Sequence, residues 1–187
     1  MATVTVTPDA FTLVFFEHDR IVELVSEVCD LVGIGDREVV VNVLEAVPLG
    51  RVTVSSLDPV TLDIEGGAIE NAKAPRHLSD SNVRDVVSRY LFRVQDRLGG
   101  GFDDAPADAD LSLPQAVAWD TYAVGRAFRL GLAGQKPRRV YHFRNRHGFS
   151  DVADAVFERL WNADGLTWAD IEAACAETAA YRESASA

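Results

Sequence analysis

The order in which strand-like and helix-like segments follow one another constrains the fold of this chain most. Threonine and valine alternate over residues 3–7, which predicts a strand, because successive side chains of a strand point to opposite faces. From Ile21 to Val32 the apolar residues recur instead at the spacing of one helical face, and Gly33 follows as a helix stop. The chain is therefore expected to begin with a strand and a helix.

The rest of the chain lacks the regular alternation of a doubly wound sheet. Further strands are predicted over residues 11–16, 38–47, 51–54, 60–64 and 139–143. Further helices are predicted over 83–98 after a cap at Ser79 or Ser81, over 113–131, over 151–161 and from Thr167 onward. Three successive strands separated by turns favour antiparallel pairing. We therefore expect an α+β fold with a mixed, mostly antiparallel sheet of about five strands and helices packed mainly on one face.

The length of 187 residues and the lack of an obvious linker predict a single domain over residues 1–187. The acidic segment near residues 99–111 begins with glycines and contains Pro106, so we expect a mobile loop there. The tail after residue 181 is expected to fray.

Composition places the chain among ordinary globular proteins, with 48% hydrophobic and 25% charged residues. No apolar run approaches the roughly 18 residues of a membrane span, and the first residues lack the basic and apolar regions of a secretion signal. We therefore predict no membrane association and a cytoplasmic location. Cys29 and Cys175 lie too far apart in the sequence to suggest a CxxC metal site or a disulfide framework.

The motifs of several catalytic classes are missing from the sequence. It contains no HExxH zinc motif, no phosphate-binding P-loop, no GxSxG nucleophile motif and no EF-hand loop. The acidic residues near 103–110 match no cation-binding template. We accordingly predict no metal site and no cofactor. His142 and His147 are the candidate catalytic residues, as acid-base groups.

One stretch differs from the rest of this acidic chain. The net charge is −11, yet residues 121–150 hold seven basic residues and no acidic one. Aromatic residues lie among these basic residues, and guanidinium groups bind phosphate while aromatic rings stack on bases. The predicted ligand-binding residues are Trp119, Tyr122, Arg126, Arg129, Arg138, Arg139, Arg144 and Arg146.

Three hypotheses about function follow from this stretch. The first is a binding module for a phosphorylated ligand or single-stranded nucleic acid. The second is an enzyme of unassigned reaction that acts on an anionic substrate through His142 or His147. The third is a structural or protein-interaction domain that docks an acidic partner or forms a homodimer. If the basic residues only balance nearby carboxylates, the stretch binds no ligand.

Overall fold

The computed structural model describes residues 2–45 and 49–185. It confirms an α+β fold, with six α-helices and six strands among the described residues. The chain divides into two compact parts, unit 1 (Met1–Gln95) and unit 2 (Asp96–Ala187). The predicted single domain over the whole length stays a prediction. The predicted end of a strand at Val47 and the turn at Pro48 lie outside the described residues.

Unit 1 contains all the described strands, which form a mixed four-stranded sheet and a separate hairpin. The first sheet has the order β1-β2-β4-β3 and the hairpin pairs β5 with β6. The strands are β1 (Thr3–Thr7), β2 (Glu38–Leu44), β3 (Val52–Leu57), β4 (Val60–Glu65), β5 (Glu70–Asn71) and β6 (Ala74–Leu78).

The mixed character of the sheet is confirmed, but its antiparallel share is smaller than predicted. β2 pairs in parallel with both β1 and β4, and only β3 runs antiparallel, against β4. β4 takes a central position because its alternate residues Val60, Leu62 and Ile64 are fully buried. β3, with exposed Thr53 and a register shift, lies at the edge, where fewer side chains need burial.

Two helices belong wholly or largely to unit 1. These are α1 (His18–Val32) and α2 (Asp80–Leu98), and the boundary between the units falls inside α2. Gly33 ends α1 in the left-handed conformation, as predicted. Ser79 caps α2 by accepting a hydrogen bond from the backbone N–H of Asn82 at 3.3 Å.

The strand predicted over residues 11–16 is wrong except at one residue. Phe15 forms an isolated bridge with His77, and the preceding segment has no strand partner. The side chain of Glu45 accepts hydrogen bonds from the backbone N–H groups of Thr12 and Leu13, each at 2.7 Å. In a sheet, the carbonyl groups of a neighbouring strand would accept these hydrogen bonds. Here the carboxylate of Glu45 accepts them instead.

Unit 2 is helical, and α3 packs against the other three helices. The helices are α3 (Leu113–Arg129), α4 (Lys136–His147), α5 (Asp151–Asn162) and α6 (Trp168–Ala185). Ser112 and Gln115 form the predicted capping box of α3, and Ser150 caps α5. Gly125 of α3 lies so close to α5 that a Cβ atom there would be 2.1 Å from the carbonyl oxygen of Trp161.

The strand predicted over residues 139–143 is wrong, because these residues lie in α4. Basic and apolar residues alternate there, which resembles a period of two. The residues that face the core of unit 2 are spaced as in a helix, however. Phe143 comes three residues after Val140, and His147 comes four residues after Phe143. Pro137 in the first turn is also favourable at a helix start.

The acidic loop near residues 99–111 has several anchors. Phe102 is buried in the core of unit 2. The guanidinium of Arg97 donates to the carbonyl oxygens of Ala105 and Pro106 and to the carboxylate of Asp108, at 3.3, 2.7 and 2.8 Å. The predicted mobility of this loop and the fraying of the tail stay predictions. Among the described helices, none combines the length and apolar content that a membrane crossing requires.

Candidate basic surface of the fourth helix

The two aromatic residues predicted to bind a ligand lie in the core of unit 2. Trp119 and Tyr122 are both buried, and the ring of Phe102 stacks on Trp119 with centroids 4.8 Å apart. The indole N–H of Trp119 donates to Asp96 at 2.7 Å, and the hydroxyl of Tyr122 accepts from the backbone N–H of Leu166 at 3.2 Å. Burial raises the pKa of the Tyr122 hydroxyl. Neither ring presents a face to solvent on which a base could stack.

Arg126 also lies inside unit 2. Its guanidinium donates two hydrogen bonds to the carboxylate of Asp96, at 2.8 and 2.7 Å, and lies 3.8 Å from the centre of the Tyr122 ring. Both charged side chains are almost fully buried. Because removal of one partner would leave the other charge buried and unpaired, this arginine stabilises the fold.

Arg129 stabilises the end of a neighbouring helix. Its guanidinium donates to the carbonyl oxygens of Trp161 and Ala163 at 2.7 and 2.9 Å, and to the carboxylate of Asp164 at 2.7 Å. The last carbonyls of a helix lack intrahelical partners and carry partial negative charge. Arg129 therefore caps the C-terminus of α5.

Two further predicted arginines already have partners. Arg144 of α4 forms a bidentate pair with Asp154 of α5, with distances of 2.7 and 2.6 Å, and this hydrogen bonding lowers the pKa of Asp154. Arg139 is half-buried and also has an interaction partner. These contacts assign Arg144 to the packing of α4 on α5.

His147, a predicted acid-base residue, is buried between three helices. Its ring lies parallel to that of Phe143, with centroids 4.0 Å apart. Nε2 lies 3.1 Å from the carbonyl oxygen of Pro114 and Nδ1 lies 2.8 Å from the hydroxyl of Thr178. Since a carbonyl only accepts, Nε2 carries the proton, and the Thr178 hydroxyl that faces Nδ1 also lies 3.0 Å from the carbonyl oxygen of Cys175. With both nitrogens bonded inside the protein, His147 has no ring atom available for a substrate.

The residues of α4 that point away from this core form an exposed face. We call this the outer α4 face, and it consists of Arg138, Tyr141, His142, Arg146 and the adjacent Phe149. Tyr141 and His142 lie three and four residues after Arg138, and Arg146 lies four residues after His142, so these four residues share one side of the helix. All five are exposed, with 59% of the surface of Tyr141 and 66% of that of Phe149 accessible to solvent. His142 has an interaction partner, although its side chain faces solvent.

Two arginines give this face its charge. Across residues 2–45 and 49–185, neither the guanidinium of Arg138 nor that of Arg146 has a hydrogen bond or an ion pair. Two acidic residues of α5 bind other basic residues of α4, since Asp154 binds Arg144 and Glu158 binds Lys136 at 2.8 Å. The outer α4 face therefore carries positive charge that unit 2 does not neutralise locally.

The structure divides the eight predicted binding residues into two groups. Only Arg138 and Arg146 are exposed and without an ion pair among the described residues, whereas the others lie in the core or have partners. Tyr141 and Phe149, the two aromatic residues of this face, were not among the predicted binding residues. The helical spacing of Tyr141 from Arg138 and Arg146 is visible in the sequence only after α4 is recognised as a helix, and Phe149 follows the end of that helix.

The part of the chain that the structure describes contains no group of three or more His, Cys, Asp or Glu side chains that could hold a metal ion.

Comparison with known proteins gives no further guide to this surface. No protein-family model, curated protein or solved structure matches the chain.

Proposed function

We propose that this protein binds a phosphate-rich anionic ligand through the outer α4 face. The observation that carries the proposal is that Arg138 and Arg146 are exposed on one side of α4 and have no ion pair among the described residues. Guanidinium groups form paired hydrogen bonds with phosphate oxygens and keep their charge at any physiological pH. A phosphate group would supply the acceptors that the carboxylates of unit 2 do not.

The start of α4 also favours an anionic ligand. Lys136, Arg138 and Arg139 all lie in its first turn, and no acidic residue accompanies them there. Basic residues at a helix N-terminus oppose the helix dipole, at a cost of about 0.3–1 kcal/mol each. A bound anion would offset this repulsion.

The proposal predicts that binding depends on two side chains. The probe is inorganic polyphosphate, and its binding to the full chain is measured at low and at moderate salt. We expect Arg138→Gln/Arg146→Gln to weaken binding about tenfold or more, because hydrogen bonds to charged groups are among the stronger ones. Binding by the wild-type protein should weaken as salt rises, since neutralised phosphates release counterions.

The matched control changes the same number of charges elsewhere. Arg37 is exposed in unit 1, and Arg159 is exposed on α5, where it pairs with Glu177. Arg37→Gln/Arg159→Gln should therefore bind polyphosphate nearly as well as the wild-type protein. The proposal fails if the wild-type protein binds no polyphosphate at low salt, or if the two double variants lose affinity equally.

A further inference from the structure

The outer α4 face carries two exposed aromatic rings that the core of unit 2 does not use. Tyr141 and Phe149 lie edge to face, with centroids 6.1 Å apart. Most of both side chains is accessible to solvent, although large aromatic side chains usually gain stability by burial. A ligand that covers these rings would recover that free energy.

The backbone around Phe149 is well fixed. Gly148 ends α4, and its N–H donates to the carbonyl of Arg144 at 2.8 Å. Directly after Phe149, the hydroxyl of Ser150 accepts from the backbone N–H of Ala153 at 3.1 Å and so starts α5. Phe149 therefore lies between two helix ends, and its backbone needs little ordering when a ligand binds.

Charge and aromatic surface alternate along this face. Arg138 and Arg146 are eight residues apart, which corresponds to about 12 Å along a helix axis. Tyr141 lies between them and Phe149 follows Arg146. Each nucleotide of a single strand supplies one phosphate for an arginine and one flat base for a ring. Polyphosphate has no group that would stack on the rings, and a duplex keeps its bases inside the stack.

We infer that the anionic ligand of the outer α4 face is single-stranded nucleic acid, with phosphates bound by Arg138 and Arg146 and bases stacked on Tyr141 and Phe149. This inference rests on the proposed function and adds the chemical class of the ligand.

The test separates base stacking from charge. Binding of a labelled single-stranded oligonucleotide of mixed sequence is measured by fluorescence anisotropy, with polyphosphate and the matching duplex as further probes. Tyr141→Leu/Phe149→Leu should bind the oligonucleotide about tenfold or more weakly, as expected for the loss of stacked bases. The same variant should keep its affinity for polyphosphate. Arg138→Gln/Arg146→Gln should bind both the oligonucleotide and polyphosphate more weakly. For the oligonucleotide, the slope of the logarithm of the binding constant against the logarithm of the salt concentration should decrease in magnitude by about 1.4.

The control for the aromatic change is Phe15→Leu, which replaces another exposed phenylalanine, in unit 1. It should bind the oligonucleotide like the wild-type protein. Circular dichroism of all variants verifies that they are folded, which we expect because the substituted side chains lie on the surface.

Two results would overturn the inference and leave the proposed function in place. One is equal oligonucleotide affinity of the wild-type protein and Tyr141→Leu/Phe149→Leu. Another is binding of the duplex as tightly as of the single strand. Binding of polyglutamate as tightly as of the oligonucleotide would indicate an acidic protein partner and would contradict both proposals. Light scattering that shows a dimer disrupted by Tyr141→Leu/Phe149→Leu would instead identify the face as an interface between two copies. A wild-type protein that binds neither polyphosphate nor oligonucleotide would contradict both proposals.

Discussion

Individual arginines of unit 2 differ in what their guanidinium groups contact. Arg126 neutralises the buried carboxylate of Asp96, and Arg129 binds the last carbonyls of α5. Arg138 and Arg146 face solvent instead. Loss of a buried partner leaves an unpaired charge in the interior, whereas neutralisation of an exposed arginine changes stability little. Stability measurements therefore separate the structural arginines from those proposed to bind a ligand.

His147 provides a prediction about pH. Burial is the main cause of the lowered pKa of its imidazole, and the nearby charge of Arg182 on α6 acts in the same direction. Below about pH 6.5 the unfolded chain binds a proton at this residue while the folded protein does not. The free energy of unfolding should therefore fall with decreasing pH, by up to about 1.4 kcal/mol per pH unit until the folded state also protonates. Urea denaturation at a series of pH values measures this.

Two variants isolate the contribution of His147 from that of other titrating groups. His147→Gln removes the titration and can still donate to the carbonyl of Pro114, so its stability should depend less on pH than that of the wild-type protein. His142→Gln changes an exposed histidine on the same helix and serves as the matched substitution. Parallel pH curves for the wild-type protein and His147→Gln would show that the imidazole is not the cause.

At the scale of elements, helix ends were predictable because their signals are local. The hydroxyl of Ser112 and the side chain of Gln115 satisfy backbone groups within the same four residues. Gly33 and Ser150 mark helix boundaries in the same way. Such signals need no knowledge of what the helix packs against.

The secondary structure of α4 and the accessible part of the basic stretch were not predictable in this way. An alternation of basic and apolar residues fits a strand until the core is known to contact Phe143 and His147. The basic stretch itself was visible from composition. Which arginines would meet Asp96 or Asp154 depended on contacts between segments far apart in the sequence. The sequence therefore indicated the region of the candidate site, including Arg138 and Arg146, but not which of its residues are accessible.

The packing of α3 against α5 gives a prediction about Gly125. A Cβ atom at this position would lie 2.1 Å from the carbonyl oxygen and 2.8 Å from the carbonyl carbon of Trp161, so the two backbones would have to separate. Gly125→Ala should lower the free energy of unfolding by at least about 2 kcal/mol, despite the better helix propensity of alanine. The midpoint of urea denaturation measures this loss.

Gly134→Ala is the matched control for this substitution. Gly134 is not in the left-handed conformation, and a Cβ atom there would have no atom within 4 Å. We expect a change in stability of less than about 0.5 kcal/mol. Equal stability of the Gly125→Ala and wild-type proteins would mean that α3 and α5 are not as close as described.

For the whole molecule, the single-domain prediction can be tested through probes that report on different units. The three tryptophans, Trp119, Trp161 and Trp168, all belong to unit 2, whereas the described strands all belong to unit 1. If residues 1–187 form one domain, tryptophan fluorescence and the amide exchange of β2 and β4 should report the same unfolding midpoint in urea.

Gly125→Ala extends this test, because it changes only unit 2. In a single cooperative domain it should lower the midpoint reported by the strand amides as much as that reported by fluorescence. A shift confined to fluorescence would show that the two units unfold independently and that the chain contains two domains.

The uneven distribution of charge has a consequence for how this protein behaves during purification. A protein with a net charge of −11 is expected to be retained by an anion-exchange resin. The acid-free stretch around α4 exposes Arg138 and Arg146, which have no ion pair among the described residues, and so presents a small surface of opposite sign. Adsorption to a resin depends on the charge of the surface that contacts it as well as on the net charge. The basic surface around α4 is therefore also expected to bind a sulfated matrix at low salt. An anion exchanger would then retain the protein through its acidic surface, and a sulfated cation exchanger would retain it through the outer α4 face.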